Sequence, residues 1–271
     1  MNSQSNQKSN FGKWVIGIIA LAVVALLVFV VSQNTQSKNN AEVSKNEATA
    51  NLKLNIPKNA SQFGSFAVDS AGKVIPPSEV DSSKTRVEFI LDPHCGGCKV
   101  VETGLKDTLA ELRTNGDIQI YYTPVSFMSS GSFDEYSARA VSSLVTVAEH
   151  DPEHFTAFLE KLYEKFPSPY PASGVSFEKI GEWAKEANVS EAAISRFSDQ
   201  DFRMFATENV KTQESRLEIF ENGQISTPKV LVGGTVSESG VLEDFITVPF
   251  RDSDVVKTFN ETLALAKVQS K

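Results

Sequence analysis

A strand, a helix and a second strand in immediate succession constrain this chain more than any other feature. TRVEFIL (Thr85–Leu91) is almost continuously apolar and β-branched apart from Glu88, the pattern of a strand buried at the centre of a sheet. In KVVETGLKDTLAELRTNG the apolar residues Val100, Val101, Leu105, Leu109 and Leu112 recur at helical spacing up to a stop at Gly116. DIQIYYTPV, residues 117–125, then reads as the next strand. Together they make a β-α-β unit, with a right-handed crossover expected. The connection LDPHCGGCK between the first strand and the helix holds both cysteines of the 271-residue sequence, Cys95 and Cys98. Cys95 therefore falls where a strand hands over to a helix.

The rest of the chain arranges itself around this unit. FGSFAVDS, residues 63–70, alternates enough to be a strand, and AGKVIPP after it supplies turn residues and then breakers. Residues 133–222 carry helical patterning almost throughout. Asp151 with Pro152 gives an N-cap and first-turn signature, and Ser190 with Glu191 a weaker one. PSPYPASG, residues 167–174, is a loop joining two of these helices. Strand character returns in TPKVLVGG, residues 227–234, with Gly233 and Gly234 placed for a hairpin turn. Residues 253–267 form an amphipathic helix with Val256, Phe259, Leu263 and Leu265 near one face. The order implies an α/β fold in which a helical subdomain interrupts a mixed sheet; there is no internal repeat.

Ahead of this domain, Val15 to Val31 run for 17 residues without a charge. At about 1.5 Å per residue they span about 25 Å, close to a hydrocarbon core of roughly 30 Å. Lys8 and Lys13 precede the run with no acid, whereas Lys38 and Lys45 beyond it are balanced by Glu42 and Glu47. The positive-inside rule then keeps residues 1–13 cytoplasmic and sends the chain beyond the segment outside. The run exceeds the usual signal-peptide core of about 7–15 residues, which favours an uncleaved transmembrane signal-anchor over residues 14–32 above a cleaved signal. Both readings give the same compartment. Residues 33–60, rich in Asn, Ser, Lys and Ala, read as a flexible linker, which leaves 61–271 as the folded domain. A formal charge of -8 argues against a nucleic-acid partner and against docking on anionic lipid.

Thiols outside the cytoplasm are oxidised unless something holds them reduced, but a single pair builds no scaffold. A Cys-x-x-Cys loop is also too short to stabilise a fold much by loop entropy. The remaining uses are zinc ligation and dithiol redox chemistry. Cys95, Cys98, His150 and His154 satisfy a formal zinc pattern, yet residues 99–149 separate the two halves, far more than in a zinc finger. Asp151-Pro152 also starts a new helix between the two histidines. Redox chemistry suits the position better. A thiol at a helix N-terminus faces unpaired N–H groups and the positive dipole end, which favour thiolate. Cys95 is then the nucleophile and Cys98, one turn on, the resolving thiol. Such a couple needs no cofactor, and no metal is expected.

These features resemble the DsbA-like thiol-disulfide oxidoreductases over roughly Phe63 to Lys267. VEFILDPHCGGC, YSARAVSSL, ISTPKVLVGG and the helical insertion carry the resemblance. It implies a thioredoxin-like fold with an inserted α-helical subdomain. It also implies that Thr227-Pro228 is a cis peptide beside the cysteines, exposing backbone to pair with an extended substrate; a trans proline opening an edge strand is the plainer alternative. The dipeptide departs from the family, since DsbA has a histidine between its cysteines and here Gly96-Gly97 stands there. His94 is a candidate modulator of Cys95 when protonated, although an exposed loop histidine is the simpler reading. Glu88 is a second candidate modulator, because thioredoxin-like folds often bury a carboxylate beneath the disulfide. It stands seven residues before Cys95, one off the usual spacing, so it either points inward with a shifted register or faces solvent. Asp92 reads as a turn or cap acid.

The resemblance thus implies a membrane-anchored, extracytoplasmic enzyme that introduces or exchanges disulfides in secreted and surface proteins. A reductase or isomerase, and a non-catalytic chaperone-like module, are the alternatives. With no third cysteine in the sequence, regeneration falls to another protein, in this family a quinone-linked membrane reoxidant of DsbB or vitamin K epoxide reductase type. The potential is expected between about -270 mV and about -120 mV, and histidine in place of Gly97 is expected to raise it and to lower the Cys95 pKa. For the topology, a reporter that works only outside the cytoplasm should be active when fused after Lys271, and one that works only inside should be silent.

Overall fold

The computed structural model describes residues 54–131, 135–166, 175–216, 226–236, 242–250 and 254–269. The expected anchor at 14–32 lies outside them, as do residues 1–13, most of the linker and the 167–174 loop. Among the described residues no helix is long and apolar enough to cross a membrane.

Six strands form one mixed sheet. They are β1 (Phe66–Val68), β2 (Val74–Ile75), β3 (Thr85–Leu91), β4 (Ile118–Pro124), β5 (Lys229–Val236) and β6 (Leu242–Thr247), in the order β2-β1-β4-β3-β5-β6. β3 and β4 run parallel and are joined by α1 (Gly96–Asn115), while every other neighbouring pair is antiparallel. The two strands whose sequences are most continuously apolar are the central ones. β4 is buried at every position and β3 from Val87 to Leu91, as expected for strands covered on both faces.

Alternation along β3 sends its side chains into two cores. Val87, Phe89 and Leu91 pack with Cys98, Val101, Leu105 and Leu109 of α1 and with Phe259 and Leu263 of α7 (Val255–Gln269). The Phe89 ring stacks on Tyr122 at 5.6 Å between centroids. On the opposite face, Ile90 joins Val125, Leu231 and Leu242, with Val210 of α6 (Arg203–Arg216) against them. The stripe Cys98, Val101, Leu105, Leu109 is spaced 3, 4, 4 and fixes how α1 lies on the sheet. Val100, expected in that stripe, is 60% exposed, one step round the helix. Leu265 of α7 is likewise exposed. Gly116 ends α1 at φ 73°, and its N–H reaches the Arg113 carbonyl at 3.2 Å.

The helical subdomain is built on α2 (Tyr136–His150), buried nearly all round, with α3 (Phe155–Glu164), α4 (Phe177–Glu186), the single turn α5 (Glu191–Ile194) and α6 around it. α2 begins at Tyr136, after Glu135 as its N-cap; Phe133, where the helical patterning starts, lies outside the described residues. Asp151 precedes a 3₁₀ turn, Pro152–His154, and α3 starts only after it. Its carboxylate is taken by the Ser190 N–H at 2.6 Å and by His154 Nδ1 at 2.7 Å, which pins the start of α5 to the end of α2.

Two turn expectations change. Val74 and Ile75, read as part of a breaker segment, form β2 because the antiparallel register Ala67↔Ile75 and Val68↔Val74 gives their backbone partners. Gly233 and Gly234 are not the hairpin turn; they lie inside β5, with Gly233 paired to Phe245 and Thr235 to Glu243. Their φ values of 76° and 88° kink the strand, and a Cβ at Gly234 would sit 2.8 Å from the Glu243 carbonyl oxygen. Gly234→Ala should therefore cost about 1–3 kcal/mol, measured as a lower urea midpoint with an unchanged slope.

Candidate active site

β3 ends at Leu91, and the chain turns through Asp92, Pro93 and His94 into α1. The Cys95 N–H closes the turn on the Asp92 carbonyl at 3.0 Å, and the Lys99 N–H bonds the Cys95 carbonyl at 3.1 Å to open the helix. Cys95 is thus the N-cap residue, with extended φ, ψ of -94° and 119°. Its sulfur lies at the end of the helix where backbone N–H groups are unpaired. Cys98, one turn on, points back into the core and is 1% exposed. Both are free thiols.

The Thr227-Pro228 peptide is cis and lies against this helix start. The Cys95 thiol donates to the Thr227 carbonyl oxygen at 3.4 Å. The Thr227 hydroxyl is buried beside it and makes no hydrogen bond within ordinary reach. Cys95 titrates far below an ordinary thiol, at about 5. The hydrogen bond from the Cys98 thiol is the largest cause; burial opposes it, and the Thr227 hydroxyl and the N–H groups of Cys98 and Gly97 add to it. Cys98 moves the other way, well above 9.0, because burial and the neighbouring Cys95 both penalise its charge. Two cysteines three apart are therefore made chemically unlike.

The acid beneath the dithiol is Asp92. It is fully buried, and its N–H points at the Cys98 sulfur at 3.5 Å. Its carboxylate accepts three bonds of 2.7 Å each, from the N–H groups of His94 and Met128 and from the Ser137 hydroxyl. The Tyr163 hydroxyl donates to its carbonyl at 3.2 Å. Burial raises the carboxyl to about 7 in spite of the three bonds, with Cys95 adding to the rise. The only trace of this role in the sequence is its place at the end of a central strand, three residues before Cys95. Glu102, a turn beyond Cys98, is also raised by burial to about 7, with Glu160 adding to it. It accepts from the Tyr122 hydroxyl at 3.4 Å and lines a groove of about 580 Å³ with Lys99, Lys106, Glu160 and Tyr163.

The two candidate modulators lie elsewhere. Glu88 points inward, fully buried, but on the sheet face of Ile90, away from the Cys98 core. It accepts from Arg86 Nη2 at 2.8 Å, Ser65 Oγ at 2.9 Å and Thr123 Oγ1 at 2.6 Å. It is a sheet-locking acid, not one under the sulfurs. His94 is not an exposed loop histidine; it is 1% exposed, edge-on to Tyr136 at 5.0 Å and near Phe166 at 5.8 Å. The structure does not bring His150 and His154 to the cysteines. His154 pairs with Asp151 and His150 lies 6.4 Å from the Phe202 ring. Among the described residues no three His, Cys, Asp or Glu side chains converge as metal ligands.

No protein-family model matches the chain, and no curated protein matches it in sequence. Solved structures do match it in fold. BdbD from Bacillus subtilis, in its oxidised form, has a TM-score of 0.54 at 18% identity, over 79% of this chain and 98% of that one. Reduced DsbA from Mycobacterium tuberculosis gives 0.52 at 21% identity, over 75% and 99%. MdbA, a thiol-disulfide oxidoreductase from Corynebacterium diphtheriae, gives 0.52 at 17%, over 75% and 96%. The fold is that of the DsbA-like oxidoreductases, a thioredoxin-like sheet carrying helical elements, as the sequence resemblance implied.

Asp92 supplies a pH test. Its folded value of about 7 lies above the ordinary 3.8, so across that window the folded protein binds a proton that the unfolded chain has lost. Stability from this group falls as pH rises between the two values. The unfolding free energy of wild type minus that of Asp92→Asn should decline from pH 4 to pH 7 and level off outside, measured by urea titration at each pH.

Proposed function

We propose that the chain is a membrane-tethered, extracytoplasmic thiol-disulfide oxidoreductase that introduces disulfides into secreted and surface proteins. The observation that carries the reading is the split between a half-buried Cys95 lowered to about 5 and a buried Cys98 raised well above 9.0. In the oxidised enzyme a substrate thiolate attacks Cys95 Sγ, the Cys95–Cys98 bond breaks, and Cys98 leaves and takes a proton. Asp92 is the acid that holds that proton. A second substrate thiolate then attacks the sulfur of the mixed disulfide, and Cys95 departs as a thiolate. The two exchanges together move one electron pair, so the substrate loses two electrons and the enzyme gains them.

The direction follows from the same split. An oxidant is strong when its reduced form is stabilised, and a low-pKa Cys95 both stabilises that form and leaves readily. The hydrogen bond from the Cys98 thiol, with smaller help from Thr227 and from the Cys98 and Gly97 N–H groups, lowers Cys95 without a histidine between the cysteines, so the missing histidine does not argue for a reductase. Cys95 and Cys98 carry the catalysis, and the Thr227-Pro228 backbone docks the substrate. The anchor at 14–32 and the location of the domain rest on the charge asymmetry around the apolar run. With no third cysteine in the sequence, regeneration falls to another protein, and the family resemblance alone suggests a quinone-linked membrane partner of DsbB or vitamin K epoxide reductase type.

Refolding of reduced ribonuclease tests the activity: the oxidised protein should restore ribonuclease activity, and Cys95→Ser should not. Cys98→Ser should accumulate mixed disulfides with client proteins through Cys95 on non-reducing gels, and Cys95→Ser few. The reverse pattern would exchange the roles of the two cysteines.

A further inference from the structure

The three groups that bond the Asp92 carboxylate are not alike. The His94 N–H reaches Oδ1 at 2.7 Å, and the Met128 N–H and the Ser137 hydroxyl each reach Oδ2 at 2.7 Å. A backbone N–H can only donate, whereas a hydroxyl carries one donor and two acceptor lone pairs and rotates to suit its partner. An ionised carboxylate is matched by all three. A protonated one has a hydrogen of its own to place, and of the three only the Ser137 oxygen can accept it. Ser137 is fully buried on α2, so bulk water does not reach it. The titratable groups that face Asp92 do not take this role. Cys95 adds to the rise of the carboxyl, and Asp92 adds to that of Cys98, but neither sulfur bonds the carboxylate. Tyr163 of α3 donates to the Asp92 carbonyl, and His94 turns its ring to Tyr136 and Phe166.

We propose that Ser137 is a positioning residue that serves both protonation states of Asp92, donating to the carboxylate and accepting from the acid, so that the helical subdomain sets how readily Cys98 is given its proton. The idea deepens the oxidoreductase reading and takes its importance from it. When Cys98 leaves as a thiolate and takes the carboxyl proton, Asp92 becomes a carboxylate and the Ser137 hydroxyl turns from acceptor to donor. When a proton returns to Asp92, it turns back. A hydrogen bond to a charged group is about twice as strong as one between neutral groups. Losing the hydroxyl therefore costs the carboxylate more than the acid, and Ser137→Ala raises the Asp92 pKa.

The test uses the full-length reduced protein in detergent, with isotope-labelled aspartate carboxyl carbons followed by NMR against pH. The Asp92 resonance is the one that Asp92→Asn removes, and in wild type it should titrate at about 7. Ser137→Ala should move that midpoint up by about one unit, a tenfold rise in proton affinity. Ser143→Ala takes another fully buried hydroxyl from α2, one with no hydrogen-bond partner, and should leave the midpoint where it is. Ser137→Thr keeps the hydroxyl and should titrate as wild type. Equal shifts in the two alanine variants, or a midpoint lowered by Ser137→Ala, would overturn the proposal. If Ser137→Ala does not fold, Ser137→Thr decides: a wild-type midpoint supports the proposal and a displaced one overturns it. The titration needs no turnover. A wild-type protein that leaves ribonuclease reduced but shows this dependence on Ser137 would refute the oxidoreductase reading alone.

Discussion

The Asp92 carboxylate holds the site together. A buried carboxyl is costly unless bonded, and this one is bonded by three elements at once: its own loop through His94, the segment after β4 through Met128, and α2 through Ser137. Its backbone reaches two more, α1 through the Cys98 sulfur and α3 through the Tyr163 hydroxyl. The sheet fixes the position of Asp92, because β3 is paired on both sides up to Ile90. The helical subdomain is thereby tied to the dithiol through one residue. All three donors to the carboxylate are neutral, so nothing cancels the cost of its charge, and the group stays poised near neutrality.

From this anchoring follows the inequality of the cysteines. The same side chain, three residues apart, occupies the N-cap in one case and the first buried turn in the other. At the N-cap, backbone N–H groups, the Cys98 thiol and the Thr227 hydroxyl all stabilise a thiolate. In the core, burial beside Val101 and Leu105 disfavours one. No charged side chain is needed to separate the two. The packing stripe of α1 does it, since the register that buries Val101, Leu105 and Leu109 also turns Cys98 inward and leaves Cys95 at the rim.

What could be read from the sequence was whatever depends on local order. The β3-α1-β4 unit announced itself through apolar period and a glycine stop, Cys95 fell at the helix start because the period said so, and Thr227-Pro228 stood before a strand. Features set by residues distant in the chain were not legible. Asp92 looks like any turn acid until Met128 and Ser137 converge on it, although Ser137 belongs to the YSARA stretch that suggested the family. His94 is buried only because Tyr136 and Phe166 close over it. Gly233 and Gly234 resemble a hairpin turn locally, but the register of β5 against β6 carries the strand through them. Val100 and Leu265 were assigned to apolar faces by a spacing that fixes a helix's period but not its rotation against the sheet.

Two acids, Glu88 within β3 and Asp92 just past its end, are fully buried and differently bonded. Glu88 lies on the face of Ile90 and has a cation: Arg86 bonds it through two nitrogens, at 2.8 and 3.2 Å, and stacks over the Tyr121 ring at 3.5 Å. Ser65 and Thr123 fill its other oxygen. A carboxylate so matched ties β3 to β4 and to the residue that precedes β1. Strand alternation places it on the wrong side of the sheet for the thiols, and a shift of register by one would expose the whole apolar face. The fold therefore meets the need for an acid near Cys98 where alternation ends, at Asp92, the first residue past the strand. There the backbone is free to turn toward the sulfur, and neutral donors allow the proton to come and go.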